Sequence, residues 1–417
     1  MTSHEAARSI FHGALTASSI PAAFDSKIHW GGLQLDQYDR IYAIAVGKAA
    51  LPMLETLASR LPYSLTGGVC CGPLLPSDRL SGIDYYSGGH PLPNQDSFRS
   101  ARAALTLLHG AGPRDFIFFL ISGGGSAMFE LPLDAQITLA ETQVLYQALV
   151  GSGATIAEIN TVRKHFSAVK GGRLAAAAPF SGRCSLLLSD VAPRYLDALA
   201  SGPTLPDTST VAECRGILDR YALRERFPAT VRAWFDDPAL PETPSLPEDH
   251  VEILLSSDDL LEAARAVALS LDYEVVIDNE CDDWDYADAT RYLLGRFDEL
   301  RSRHRKLCLL SGGEVTVRLN RGHGAGGRNQ QFALACALSG RSVVVLSAGS
   351  DGIDGNSPAA GAIADATTVT RAQALGIDAE SALARFDAYP LFAALGDTLI
   401  TGPTHNNLRD LRILLSP

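Results

Sequence analysis

Residues 116–128 read FIFFLISGGGSAM. The apolar run FIFFLIS (116–122) has the length and composition of a strand covered on both faces. It passes directly into three consecutive glycines, an arrangement whose backbone entropy cost is not needed merely to end a strand. Gly123, Gly124 and Gly125, with the hydroxyls of Ser122 and Ser126, therefore mark a strand end where a ligand approaches the backbone closely.

The same grammar recurs on both sides of this stretch. RIYAIAVG (40–47) runs into GKAA, CSLLLSD (184–190) into SDVAP, KLCLLSGG (306–313) into SGGE, and SVVVLSAGSD (342–351) into AGSDGIDG. Helical and strand patterns alternate between them, which predicts an α/β protein with parallel sheets. In such sheets ligands bind beyond the carboxyl ends of the strands, so the five endings are expected to converge on one cleft. EVTVRL (314–319) alternates in polarity and predicts a half-exposed antiparallel strand. Pro228, Pro238, Pro241, Pro244 and Pro247 lie among acids and predict a linker over 228–250, with one domain over 1–240 and a second over 250–417.

Composition narrows the function. The chain has 417 residues, 46% hydrophobic and 20% charged, with a net charge of −12. A net charge of that size and sign argues against nucleic acid and anionic membranes as bulk partners. No apolar run is long enough to span a bilayer, and MTSHEAARSI lacks a basic and an apolar signal region, so a cytoplasmic location is expected. Seven cysteines at irregular spacings predict buried, reduced thiols rather than a disulfide framework or a metal cluster.

An anionic small molecule must then be held by local cations working against the global field. Lys48, directly after Gly47, reads equally as a phosphate-reaching cation or as an ordinary surface lysine. INTVRKHFSAVKGGRLA (159–175) predicts a helix stopped by Gly171–Gly172, with Arg163 and Lys170 seven residues apart on one face. It offers an anion site, although spacing alone leaves a solvated face as the simpler reading. GHGAGGRNQQ (322–331) formally matches GxGxxG through Gly322, Gly324 and Gly327 and supports a dehydrogenase rival. Arg328 directly after these glycines suits phosphates better, and the preceding segment alternates in polarity where a Rossmann strand is apolar on both faces. Asp190, Asp351 and Asp354 fall at strand ends, where a carboxylate caps a helix or turn, accepts a proton or holds Mg²⁺. His90, in GGHPLPN (88–94), is read either as a substrate contact or as a turn-locking side chain.

Taken together, AVGKAA (45–50), GGHPLPN (88–94), ISGGGSA (121–127), EINTVRKHFSAVKGGRLA (158–175), LSDVAP (188–193), SGGEVTV (311–317), GGRNQQFAL (326–334) and SAGSDGIDG (347–355) resemble the glycerate 2-kinases with a C-terminal MOFRL domain, often mislabelled hydroxypyruvate reductases. The resemblance implies a Rossmann-like N-terminal domain, a second MOFRL-like α/β domain, an active site in the interdomain cleft, and ATP with Mg²⁺. It implies Lys48, Asp190 and Arg328 as catalytic residues, Asp190 also serving the metal. Ser122, Gly123, Gly124, Gly125, Ser126, Gly312, Gly313 and Glu314 are expected on the nucleotide side. His90, Arg163, Lys170, Asn329 and Asp351 are expected on the substrate side. The expected reaction phosphorylates a small hydroxy acid, D-glycerate to 2-phosphoglycerate. An NAD(P)H-dependent hydroxypyruvate reductase and a non-catalytic sugar-acid-binding protein are the alternatives, and a homo-oligomer is left open. Three departures from the family pattern bear on the substrate: Ala192–Pro193–Arg194–Tyr195 after SDV, Asn94 where an aspartate is often found, and His405–Asn406–Asn407 near the C-terminus.

Overall fold

The computed structural model describes residues 1–416 except Ala192, 247–249, Asn320, Arg321 and His405, and of residues 193–195 the backbone only. The chain divides into two compact units, Phe24–Leu254 and Met1–Ala23 with Leu255–Pro417.

The first unit is built on strands β1 (Arg40–Val46), β2 (Gly67–Gly72), β3 (Ile83–Ser87), β4 (Asp115–Ser122), β5 (Gly182–Leu188) and β6 (His250–Leu255), in the sheet order β3-β2-β1-β4-β5-β6. β1 pairs in parallel with both β2 and β4, and β2–β3 and β4–β5 are also parallel. Every residue of β4 is buried, as its unbroken apolar run requires of a central strand. One face packs Ile44, Val46, Ile117, Phe119 and Ile121 against Ala101, Ala104 and Leu108 of the helix Gln95–His109. From β1 the chain moves outward to β2 and β3, then returns to β4 and moves the other way. The gap between the carboxyl ends of β1 and β4 is thus the topological switch point, where doubly wound sheets bind ligands.

The second unit holds β7 (Glu274–Ile277), β8 (Leu307–Gly313), β9 (Val344–Gly349), β10 (Gly361–Ala364), β11 (Thr398–Leu399) and β12 (Asp410–Leu415), ordered β11-β10-β9-β12-β8-β7. This sheet is mixed, not parallel. The C-terminal run DLRILL inserts antiparallel between β8 and β9, and β10 is also antiparallel to β9. EVTVRL forms no strand: Gly313 takes φ +89 and turns the chain out of the sheet, leaving a single bridge from Thr316 to Asp285. The GxGxxG match therefore lacks its strand, and the helix Arg328–Leu338 is approached through irregular backbone among the described residues.

All seven cysteines are free and buried. Among the described residues no helix is long and apolar enough to cross a membrane.

Candidate active site

At the switch point of the first unit each glycine of SGGGSAM is required by a neighbour. A side chain on Gly123 would overlap the Asp190 carboxylate. Gly124 has φ +80, and a Cβ there would lie 3.1 Å from Lys48 Cγ and 3.5 Å from His90 Cδ2. A Cβ on Gly125 would press on Ala200 at 2.8 Å. The loop is thus a floor on which Lys48, His90 and Asp190 converge. Ser122 is fully buried, and its hydroxyl donates to the Val46 carbonyl at 3.1 Å while accepting the Ala49 N–H at 3.0 Å. Its part is to lock the turn that carries Lys48, which the Lys48 N–H donating to Gly123 O at 2.8 Å fixes further. Lys48 itself is exposed. The imidazole of His90 has a lowered pKa, first from partial burial and then from the Lys48 and Arg163 cations, so the neutral ring is favoured.

Behind the loop lies a buried polar frame. The Ser126 and Ser201 hydroxyls share a hydrogen bond of 2.8 Å, and Ser201 donates to Asn160 Oδ1 at 2.9 Å. The Tyr146 hydroxyl lies 2.6 Å from the Ser126 carbonyl and against Glu130, which takes the Lys170 ammonium at 2.7 Å. Burial lowers the Lys170 pKa against the pull of Glu130, and burial raises that of Tyr146. The helix of this region spans Ile156–Phe166, not the full stretch to Gly171. Ser167 turns extended and bridges to Pro132, so Lys170 lies past the helix end and does not share a helical face with Arg163. Nor is the face solvated: Arg163, Lys164 and Lys170 are all buried. Lys164 is bound by Asp197 at 3.0 Å and Asp207 at 2.9 Å.

In the second unit β12 begins in register between the ends of β8 and β9, with Asp410 opposite both Gly313 and Gly349. That register delivers a buried carboxylate to the helix start, where Arg328 Nε donates to Asp410 Oδ2 at 2.6 Å and Nη2 to Oδ1 at 3.0 Å. Glu314 adds a contact at 2.8 Å. Burial disfavours the Arg328 cation, but Asp410 and Glu314 outweigh it and raise its pKa. Burial, then Asp410, raises the Glu314 pKa. Gly313 packs on Asp282, which accepts the Glu314 N–H at 3.0 Å and both arms of Arg409 at 2.7 and 2.8 Å. The fully buried Arg412 donates to the Gly312 and Gly313 carbonyls at 2.5 and 3.2 Å. Asn329 is buried, with its side-chain oxygen accepting from Ser347 at 2.6 Å. Asp354 caps the helix through the N–H groups of Asn329 and Gln330 at 3.0 and 2.9 Å, and burial raises its pKa to about 6. The Asp351 carboxylate accepts the Ile353 N–H at 3.1 Å in a tight turn. A cavity of about 500 Å³ opens over Gly327, Arg328, Asp351, Gly355 and Phe386.

Within the first unit, then, Lys48, His90, Asp190 and the glycine loop come together, with Arg163 and Lys170 in the frame behind. Within the second unit Gly313, Glu314 and Arg328 come together, and Asn329 is turned into the core. Asp410, Glu130 and Tyr146 escaped the sequence reading. An aspartate opening the apolar run DLRILL was the available signal for the first; nothing local marks the other two. Of the family departures, Asn94 caps the helix Gln95–His109 and Asn406 donates to Ser18 O at 2.6 Å. Ala192, the side chains of Pro193, Arg194 and Tyr195, and His405 lie outside the described residues.

Two family models match the chain: the domain of unknown function DUF4147 over residues 6–236 and the MOFRL family over 307–410. A Thermotoga maritima protein named D-glycerate 2-kinase is 36% identical over 96% of both chains. An Agrobacterium vitis protein named putative hydroxypyruvate reductase is 36% identical over 90% of this chain and 87% of its own. The crystal structure of glycerate kinase from Thermotoga maritima superposes with a TM-score of 0.90 at 33% identity, covering 99% of each chain. The chain belongs to the glycerate 2-kinase family, in which a DUF4147 domain is joined to a MOFRL domain.

Proposed function

We propose that this protein transfers the terminal phosphoryl group of ATP to a hydroxyl of D-glycerate, giving 2-phospho-D-glycerate, ADP and a proton. The observation that carries this reading is the convergence of Lys48, His90 and Asp190 on a triple-glycine floor at the switch point of the first unit. Phosphoryl transfer asks a protein for positioning and charge, with little covalent help. Lys48, exposed on its locked turn, meets the charge of the moving group as a point cation. Asp190 orients the attacking hydroxyl and takes its proton. Arg328, held in a fixed orientation by two carboxylates, supplies the second cation.

Mg²⁺ travels with the nucleotide. Such an ion takes one or two protein carboxylates, its other ligands being phosphates and water. Asp190, pressed against a glycine that leaves its carboxylate room, is of the right chemistry to be one of them. When bound, the ion neutralises phosphate charge.

Phosphorus NMR of a reaction with Mg-ATP and D-glycerate tests the reading. The expected result is ADP and a 2-phosphoglycerate signal in equal amounts. Oxidation of NADH with hydroxypyruvate, without ADP release, would replace it with the reductase.

A further inference from the structure

Three cationic side chains are buried in the first unit, and two have their counterions. Lys164 sits on Asp197 and Asp207, and Lys170 on Glu130. Arg163, 8% exposed, has none. Among the described residues its guanidinium makes no hydrogen bond and no ion pair, and its Nε is sealed from solvent without an acceptor. What holds it is the face of Tyr146, with Cζ 4.5 Å from the ring centroid. Tyr146 is itself fixed, fully buried with its hydroxyl on the Ser126 carbonyl. A ring face returns only part of the solvation a buried guanidinium loses. A side chain placed this firmly and left this incomplete is the complement of an anion that arrives from outside.

We propose that Arg163 binds the carboxylate of the acceptor substrate, the group that separates a hydroxy acid from a simple alcohol. The inference rests on the kinase reading above and deepens it. Two anions enter such a site, a carboxylate and a phosphate, and the geometry favours the first. The glycine loop and the exposed Lys48 stand at the switch point, where backbone N–H groups and a point charge suit phosphate. Arg163 lies behind that loop in the last turn of its helix, and its planar fork matches a carboxylate edge with two parallel hydrogen bonds. Its field reaches the loop, since together with Lys48 it disfavours the protonated form of His90. Lys170 takes no part in substrate contact, because Glu130 already occupies it.

Arg163→Gln in the full chain, assayed with Mg-ATP, tests this. The KM for D-glycerate should rise about a hundredfold while the KM for ATP stays within about twofold. The preference for D-glycerate over glycerol should collapse. The ligand-free variant should melt no lower than the wild type, because an uncompensated buried charge is gone, and D-glycerate should no longer raise its melting temperature. Arg163→Lys, which keeps the charge and loses the fork, should raise the glycerate KM about tenfold, and it carries the same test should the glutamine variant not fold. An unchanged glycerate KM, with or without a lower melting temperature, overturns the inference and leaves the function standing. A rise confined to the ATP KM gives the cation to a phosphate and overturns it as well. A wild type that turns over no D-glycerate removes the proposed function, and this inference with it.

Discussion

The cations proposed to act in the two units are held in opposite ways. In the first, Lys48 stands exposed on a locked turn and Arg163 is buried without a carboxylate among the described residues, although its neighbours Lys164 and Lys170 are paired. In the second, Arg328 is gripped by Asp410 and Glu314, and Arg409 by Asp282 and Asp283. An uncommitted cation keeps its charge available to a ligand and leaves the empty protein with an unsatisfied group. A committed cation surrenders most of its field but gains a fixed direction. Lys48 and Arg163 thus present charge, whereas Arg328 is held in place. For Lys48 and Arg328 the difference follows from topology: the parallel sheet opens a switch point beside Lys48, whereas the antiparallel insertion of β12 brings Asp410 to Arg328.

The largest effect is expected from removing an uncommitted cation. Lys48→Ala should lower kcat by about a thousandfold, the scale of losing one preorganised charge in phosphoryl transfer. Because the side chain is exposed and tied to no partner among the described residues, unfolding in urea should shift by no more than about 0.5 kcal/mol. A large loss of stability would mean that Lys48 is structural and that the contrast between the units is false.

Removing a partner of a committed cation should do the reverse, costing more stability and less rate. Asp410→Ala leaves Arg328 leaning on Glu314 alone. Breaking a fully buried pair costs about 3–5 kcal/mol, but Arg328 is 34% exposed and solvent recovers part of that, so about 2 kcal/mol is expected. The kcat should fall by about tenfold, through loss of direction and not of charge. If denaturant curves of the two proteins coincide, Arg328 is not clamped in solution, and the second unit does not differ from the first.

The strand ends were legible because each couples an apolar run to residues with a particular backbone freedom. FIFFLIS followed by three glycines states both the strand and the approach of its neighbours, and Lys48 and Asp190 can be found by following the same rule to β1 and β5. What was not legible depended on long-range pairing. The direction of the second sheet rests on β12, some hundred residues along the chain from β8, and no local pattern distinguishes a buried antiparallel strand from a parallel one. The alternation of EVTVRL is real but is overridden by the left-handed turn at Gly313. The basic residues of 159–175 have the spacing of a solvated face. Only the distant Glu130, Asp197 and Asp207 reveal that two of these cations are paired inside, and only the absence of such a partner singles out Arg163.

The smallest effect separates a residue at the edge of the open site from the site itself. Asn94 accepts the Ser97 N–H at 2.9 Å and donates its amide to the Ser87 carbonyl at 2.9 Å, so one end of its side chain is spent on the helix start and the other on the end of β3. Asn94→Ala should cost about 1 kcal/mol, the usual value of an N-cap, and leave both KM values unchanged. Asn94→Asp keeps the cap and suits the helix dipole, but sets a carboxylate oxygen against the Ser87 carbonyl. Stability should therefore fall by less than in the alanine variant, again with the glycerate KM unmoved. If instead the aspartate changes the glycerate KM, the side chain faces substrate after all, and the cap bonds exist only in the empty protein. The first unit would then hold an uncommitted polar group at this position too, and the line between presented and committed side chains would have to be redrawn through the cap of the helix Gln95–His109.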